Sequence, residues 1–274
     1  MDRRPGFVGV KIKKDVQPNA FSLPNGTLLV TTGLLTTLST ENELTAALAH
    51  EMAHFVLDHH IKNINEKIKR QKRAKFWGAV ASAVAAAAGT FAAQSMDFYN
   101  PGIFGISTGI AAYSVISSIN ERLGLKYSRE QEFKADAVAT ELLKYRGISE
   151  RTLASALRKV KHHCHYTGNF MALSAEGSHP SLDQRISKIG NPSEQTHPGF
   201  FRKTSFVNTM NAMIAFNAHQ YEYSRKLVKR NIEAEVAGTD DYILLAMTNL
   251  RMHDTEKKNE QALQWLQKAK ELEA

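Results

Sequence analysis

Only one cysteine, Cys164, stands among the 274 residues. No disulfide can therefore close within the chain, although that alone assigns no redox compartment. The opening residues, MDRRPGFVGVKIKK, have no apolar core of the kind a secretory signal carries. A strongly hydrophobic run is lacking as well. Phe76 to Met96 holds 21 residues without a charge, long enough for a membrane span. Its bulk is Ala, Gly and Ser, which are weakly apolar. A second uncharged stretch, Ile103 to Ile119, puts Ile103, Ile106, Ile110 and Tyr113 on one helical face and Ser107, Ser114 and Ser118 on another. With Asn100-Pro101-Gly102 between them, residues 76 to 119 read as a helical hairpin packed on protein, with contact to a membrane surface as the alternative.

Acidic residues are the minority charge. Lys and Arg number 35 against 27 Asp and Glu, giving a net charge of +8 and a pI near 9.4. This balance suits an acidic partner or simply a solvated basic surface. The basic run at 67 to 75, KIKRQKRAK, has no interleaved aromatics and no recognition motif, so nucleic acid is not an expected partner. It would suit an anionic lipid surface. A content of 43% hydrophobic and 23% charged residues fits a globular protein.

The spacing predicts a mainly α fold with a small β-sheet or hairpin, an α+β class. FVGVKIKK alternates, and NAFSL and TLLVTT flank Pro24-Asn25-Gly26, a turn signal that predicts a hairpin. Thr40 and Glu43 form a capping box that opens a helix running to about residue 75. Ser128 with Gln131 caps another, ended by Gly147, and residues 150 to 165 are helical again. SAEGSHPSLDQR reads as a loop entering a short helix. Residues 191 to 203 have linker character, dividing a domain at 1–190 from helices at 204–274. In the latter, Ala262, Leu266 and Ala269 have the spacing of a tetratricopeptide second helix, and Ser224, Val228 and Asn231 repeat it. Such helices would offer a surface to a protein partner.

The stretch LAHEMAHFVLDHH carries the chemistry. His50 and His54 lie four apart, so on a helix both rings reach one point. Glu51 lies beside them. The surrounding residues are apolar, and burying two imidazoles and a carboxylate unpaired costs several kcal/mol. A cation removes that difficulty. A catalytic zinc takes three protein ligands and keeps one position open. The candidate third ligand is Glu132 in SREQEFKADAVA, with Asp136 one turn on, placed to accept the outer N–H of a ligating histidine. Glu130 competes, with the wrong spacing to Asp136. His162 to His165, HHCH, resembles a metal cluster, but adjacent helical residues point different ways. His59 and His60 receive no role.

NAFSLPNGTLLVTTGLL, ENELTAALAHEMAH, SREQEFKAD and SHPSLDQR occur in the order seen in the HtpX and CAAX prenyl protease family of gluzincin metallopeptidases, and the chain resembles that family over about residues 17 to 190. The soluble or periplasmic branch, including members with a C-terminal tetratricopeptide region, is most similar. The resemblance implies a zincin-type metallopeptidase domain, one zinc held by His50, His54 and Glu132, and Glu51 as catalytic base. It places the SHP loop over the metal, so His179 could donate to the oxyanion or occupy the open position at rest. Arg185 could orient the Glu132 region or the loop. The implied activity is endopeptidase cleavage of extended or misfolded protein substrates, in cell-envelope quality control. The implied setting is the bacterial periplasm or a membrane-associated site, with any signal or anchor absent from the sequence given. A protein-binding, chaperone-like module with a latent or structural metal site is the alternative. The free edge of NAFSL or TLLVTT could pair with substrate backbone.

Overall fold

The computed structural model describes residues 9–23, 25–87, 127–166, 181–193, 196–252 and 256–273. The chain divides into two units, one of residues 1–57 and 128–274, the other of 58–127.

In the first unit, β1 (Val10–Lys13), β2 (Ala20–Ser22) and β3 (Leu28–Thr31) form a sheet of order β1-β3-β2. β2 and β3 are the expected antiparallel hairpin, with Phe21 opposite Leu29. Gly26, at φ 86°, makes the turn, where a left-handed backbone favours glycine. Pro24 lies outside the described residues. β1 joins the other side of β3 in parallel, Val10 opposite Leu28. β3 is therefore central, and β2 is left as an edge.

Two helices follow, α1 (Thr32–Thr37) and α2 (Glu41–Val56). Thr40 caps α2 by accepting from Glu43 N at 3.1 Å. The Glu43 carboxylate turns back to the Ser39 amide at 2.7 Å rather than closing the box on Thr40. Its other oxygen takes Lys159 at 2.6 Å. The helix expected to run to residue 75 ends at Val56. Asp58 adopts φ 55°, a left-handed step that Asp tolerates, and the chain restarts as α3 (His59–Ala87) in the second unit. One such residue breaks a helix without disturbing the apolar pattern on either side.

The first unit resumes with α4 (Arg129–Tyr145), closed at its N-terminus by the Ser128–Gln131 capping box and followed by Gly147 at φ 70°. Then come α5 (Arg151–Tyr166) and α6 (Leu182–Ile189), the latter capped by Ser181 with Gln184. α2 packs on α4 and α5 through Ala46, Ala49, Ala139, Leu143 and Leu153. Each fully buried leucine there contributes about 1.5–3 kcal/mol. The small alanines let α2 and α4 approach closely, which positions the chemistry below.

The segment read as a linker, 191 to 203, becomes helical at Pro198, where α7 (Pro198–Asn217) begins. Proline at a first helical position forfeits no hydrogen bond. Phe200 and Val207 then bury themselves with Val30, Leu34, Leu35 and Leu38, and that apolar gain outweighs the loop-like composition. α8 (Tyr221–Glu233), α9 (Thr239–Met252) and α10 (Glu256–Glu273) pack in succession. Ser224, Val228, Asn231, Ala262 and Ala269 are buried, whereas Leu266 is 40% exposed. α8 is fastened to α1 by Arg230, whose guanidinium donates to the carbonyls of Thr36 and Leu38. These satisfy helix-end acceptors that have no partner within the helix.

Of the stretch 76 to 119, residues 88 to 119 lie outside the described residues. Among the described residues no helix is long and apolar enough to cross a membrane.

Candidate metal centre

Beyond its acidic first turn, α2 is mostly apolar with one further polar turn. His50, Glu51 and His54 all lie on it and are all buried, His54 completely. The four-residue spacing brings the rings together: His54 Nε2 is 3.1 Å from His50 Nε2, and the planes stand nearly perpendicular. α4 crosses alongside and presents Glu132, also buried. Its Oε2 lies 3.3 Å from His50 Nε2 and 3.9 Å from His54 Nε2. A tetrahedral zinc at ordinary N and O bond lengths has donor–donor edges of about 3.3 Å. The triangle of two imidazole nitrogens and one carboxylate oxygen is thus of the size that ion needs, and its donor chemistry fits.

The surroundings carry the same sign. Asp136, one turn beyond Glu132, has Oδ1 2.9 Å from His50 Nδ1. That leaves Nε2 to face the other donors. Arg185, from α6, grips Asp136 with Nε 2.9 Å from Oδ2 and Nη2 2.7 Å from Oδ1. Its Nη1 lies 3.1 Å from Glu132 Oε2, and Nη2 lies 3.2 Å from both ring nitrogens of His50. Despite burial, the Arg185 charge and hydrogen bonds from Arg185 and His50 hold Asp136 down to about 2. Burial and the Arg185 charge press His50 downward, but Asp136 and Glu132 outweigh them and lift it to about 9. Three buried carboxylates, Glu51, Glu132 and Asp136, thus gather around the Arg185 guanidinium and a His50 ring that holds its proton in their field. A divalent cation balances such a set.

Glu51 points to the sheet. Its Oε2 accepts from the Ser22 amide at 3.0 Å. Burial, then the Glu132 charge, push it up to about 7 against the opposing pull of His50, the Ser22 amide and Arg185. The ladder explains why that amide is available. Thr31 N donates to Asn19 O and Leu23 N to Thr27 O. Alternation then turns the backbone groups of Ala20 and Ser22 away from β3. The sequence marked this hairpin but could not single out Ser22, whose part depends on how the sheet meets α2.

Other sequence candidates fall elsewhere. Glu130 is exposed and paired with Lys134 at 2.6 Å. His162 is exposed, His163 is half-buried and Cys164 is buried, so adjacent positions of HHCH do face different ways. His59 is buried beside Tyr127 in the other unit. His179 lies outside the described residues.

A buried His-Glu-x-x-His turn met by a glutamate from a second helix has the donor set of a zincin-type metal centre. The chain belongs to Peptidase family M48, the description matched by its residues 1–193. It is 32% identical to Metalloprotease LoiP of Escherichia coli (strain K12) over 152 residues, 55% of this chain and 50% of that protein. It is 34% identical over 158 residues to a Protease HtpX homolog of Gemmatimonas aurantiaca, covering 56% and 50%. It is 28% identical over 176 residues to Mitochondrial metalloendopeptidase OMA1 of Schizosaccharomyces pombe, covering 64% and 44%. The chain thus spans about half the length of the curated relatives it matches.

Proposed function

We propose that this chain is a zinc endopeptidase that hydrolyses peptide bonds of extended or misfolded protein substrates. The observation that carries the reading is the convergence of His50 Nε2, His54 Nε2 and Glu132 Oε2 beside a buried Glu51. Zinc held by those three residues supplies Lewis acidity toward water and the scissile carbonyl. Glu51 takes the proton of the attacking water and returns it to the leaving amine. One of its oxygens is committed to Ser22, so proton transfer falls to the other. Asp136 fixes the His50 tautomer, and Arg185 holds Asp136 and Glu132 in register. His179 enters on sequence grounds as the oxyanion donor or as the group filling the open position at rest.

The edge of β2 supports a place for the substrate to lie, through the backbone of Ala20 and the Ser22 carbonyl, since the Ser22 amide is held by Glu51. β3 is flanked on both sides, which removes TLLVTT from contention and leaves NAFSL. Pairing there uses backbone groups and selects weakly among side chains. A client recognised this way is an unfolded chain, in keeping with quality control in a bacterial periplasm or at a membrane. The helices after residue 204, with two pairs of buried small residues, would add a tetratricopeptide-like surface for a protein partner.

Zinc content and casein cleavage of the wild type and Glu51→Gln test this. Retained zinc with cleavage reduced by about 10²–10⁴-fold supports it. Equal cleavage by both proteins, or wild type purified without chelator yet free of zinc, overturns it.

A further inference from the structure

A cavity of about 700 Å³ opens between α1, α5 and α8. Six cations line it: Arg158 and Lys159 from α5, and Arg225, Lys226, Lys229 and Arg230 from α8. Only two carboxylates join them, Glu222 and Glu233. Glu222 is already spent on Arg225 at 3.0 Å. Among the described residues Lys229 makes no ion pair, and Lys226 and Lys229 are exposed at the rim.

The floor is polar. His163 Nδ1 sits 3.3 Å from Thr37 Oγ1 and 3.4 Å from the Tyr223 hydroxyl, and its ring meets Tyr223 edge-on. Burial, then the Lys226 charge, hold His163 down to about 4, so this ring adds no charge of its own at neutral pH. The positive sign of the cavity belongs to its lysines and arginines.

We propose that this cavity binds a phosphate-bearing anion carrying several negative charges. Its volume lies in the range of small-molecule sites and exceeds what one inorganic phosphate fills. Lysine ammoniums and arginine forks on two facing helices match phosphate oxygens spread over several ångströms. A soluble oligophosphate and the headgroup of an anionic phospholipid share that chemistry. Such a ligand would relieve the repulsion among the cations and would compete with Glu43 for Lys159. Glu43 lies in the first turn of the helix that carries His50, so the cavity is wired to the start of α2. The proposal stands independently of the peptidase reading.

The probes are tripolyphosphate, followed by titration calorimetry, and flotation with phosphatidylglycerol-containing vesicles. Lys226→Glu combined with Lys229→Glu is the test variant, since both side chains are exposed and outside the metal centre. Lys268→Glu combined with Lys270→Glu, exposed on α10 and outside the basic run at 67 to 75, makes the same charge change elsewhere. Zinc content and melting temperature check the fold of each. The expected result is binding of at least one probe, weakened about tenfold or more by the α8 pair and within about twofold of wild type for the α10 pair. Tripolyphosphate binding alone assigns a soluble ligand, and vesicle binding displaced by tripolyphosphate assigns a headgroup. Equal loss in both double variants, or binding of neither probe, overturns the proposal.

Discussion

Asp136 Oδ1 is shared between His50 Nδ1 at 2.9 Å and Arg185 Nη2 at 2.7 Å. One carboxylate oxygen therefore orients a ligand ring and anchors the guanidinium that braces the third ligand. Asp136→Ala is expected to lower zinc affinity by about 10–100-fold. Competition with a chromogenic chelator measures it. An unchanged chelator midpoint would show that His50 needs no such support.

Gly33 presents a different constraint. A Cβ there would overlap the backbone carbonyl of Val16, and main chain cannot swing aside. The Gly33 amide also donates to Asp15 O at 2.7 Å, so the two segments cannot separate without loss. Gly33→Ala is expected to lower the unfolding free energy by about 1–3 kcal/mol or more. Urea denaturation reads this directly, and wild-type stability in the variant would contradict the close approach.

Acid should act on the fold through His163. Its folded pKa, about 4, lies below the ordinary imidazole value of 6.5, so the unfolded chain binds the proton more tightly. The stability this ring contributes is complete above pH 6.5 and drains away as pH falls toward 4. Between pH 7 and pH 5 the loss is about 2 kcal/mol. His163→Gln should flatten that part of the pH–stability curve; parallel curves for variant and wild type would refute the assignment.

Among the C-terminal helices the polar core rests on Asn231. Its Nδ2 lies 3.0 Å from Ser205 O and from Thr209 Oγ1, and 3.1 Å from both oxygens of the buried Asp241. Its Oδ1 accepts from Asn208 at 2.9 Å. Asn231→Ala is expected to cost about 1–3 kcal/mol by stranding these partners. Loss of amide protection confined to α7 to α9 in hydrogen exchange would locate the damage, and protection equal to wild type would count against the network.

The metal centre was legible because helical spacing is itself geometry: His50 and His54 share a face wherever that helix sits. The hairpin and two N-terminal caps, at Thr40 and Ser128, were local enough to read as well. What escaped depends on contacts distant in sequence. β1 is fixed by β3 lying beside it, not by any turn. The break at Asp58 is one dihedral angle in an unbroken pattern. The start of α7 in a Pro/Gly-rich stretch is decided by where Phe200 can bury. Neither the Ser22 amide nor the Arg230 grip on α1 leaves a sequence signal, since one is backbone and the other an arginine among many.

In sequence, the two donor-bearing helices come just before and just after residues 58–127, so the molecule tolerates change there in a particular way. An ion shared by His54 and Glu132 would act as a clasp across a loop of about 80 residues, whose closure costs roughly 4.5 kcal/mol of chain entropy. Loop-closure entropy grows only with the logarithm of length. The inserted stretch could therefore be lengthened or trimmed at little thermodynamic penalty, provided both ends still meet at the clasp.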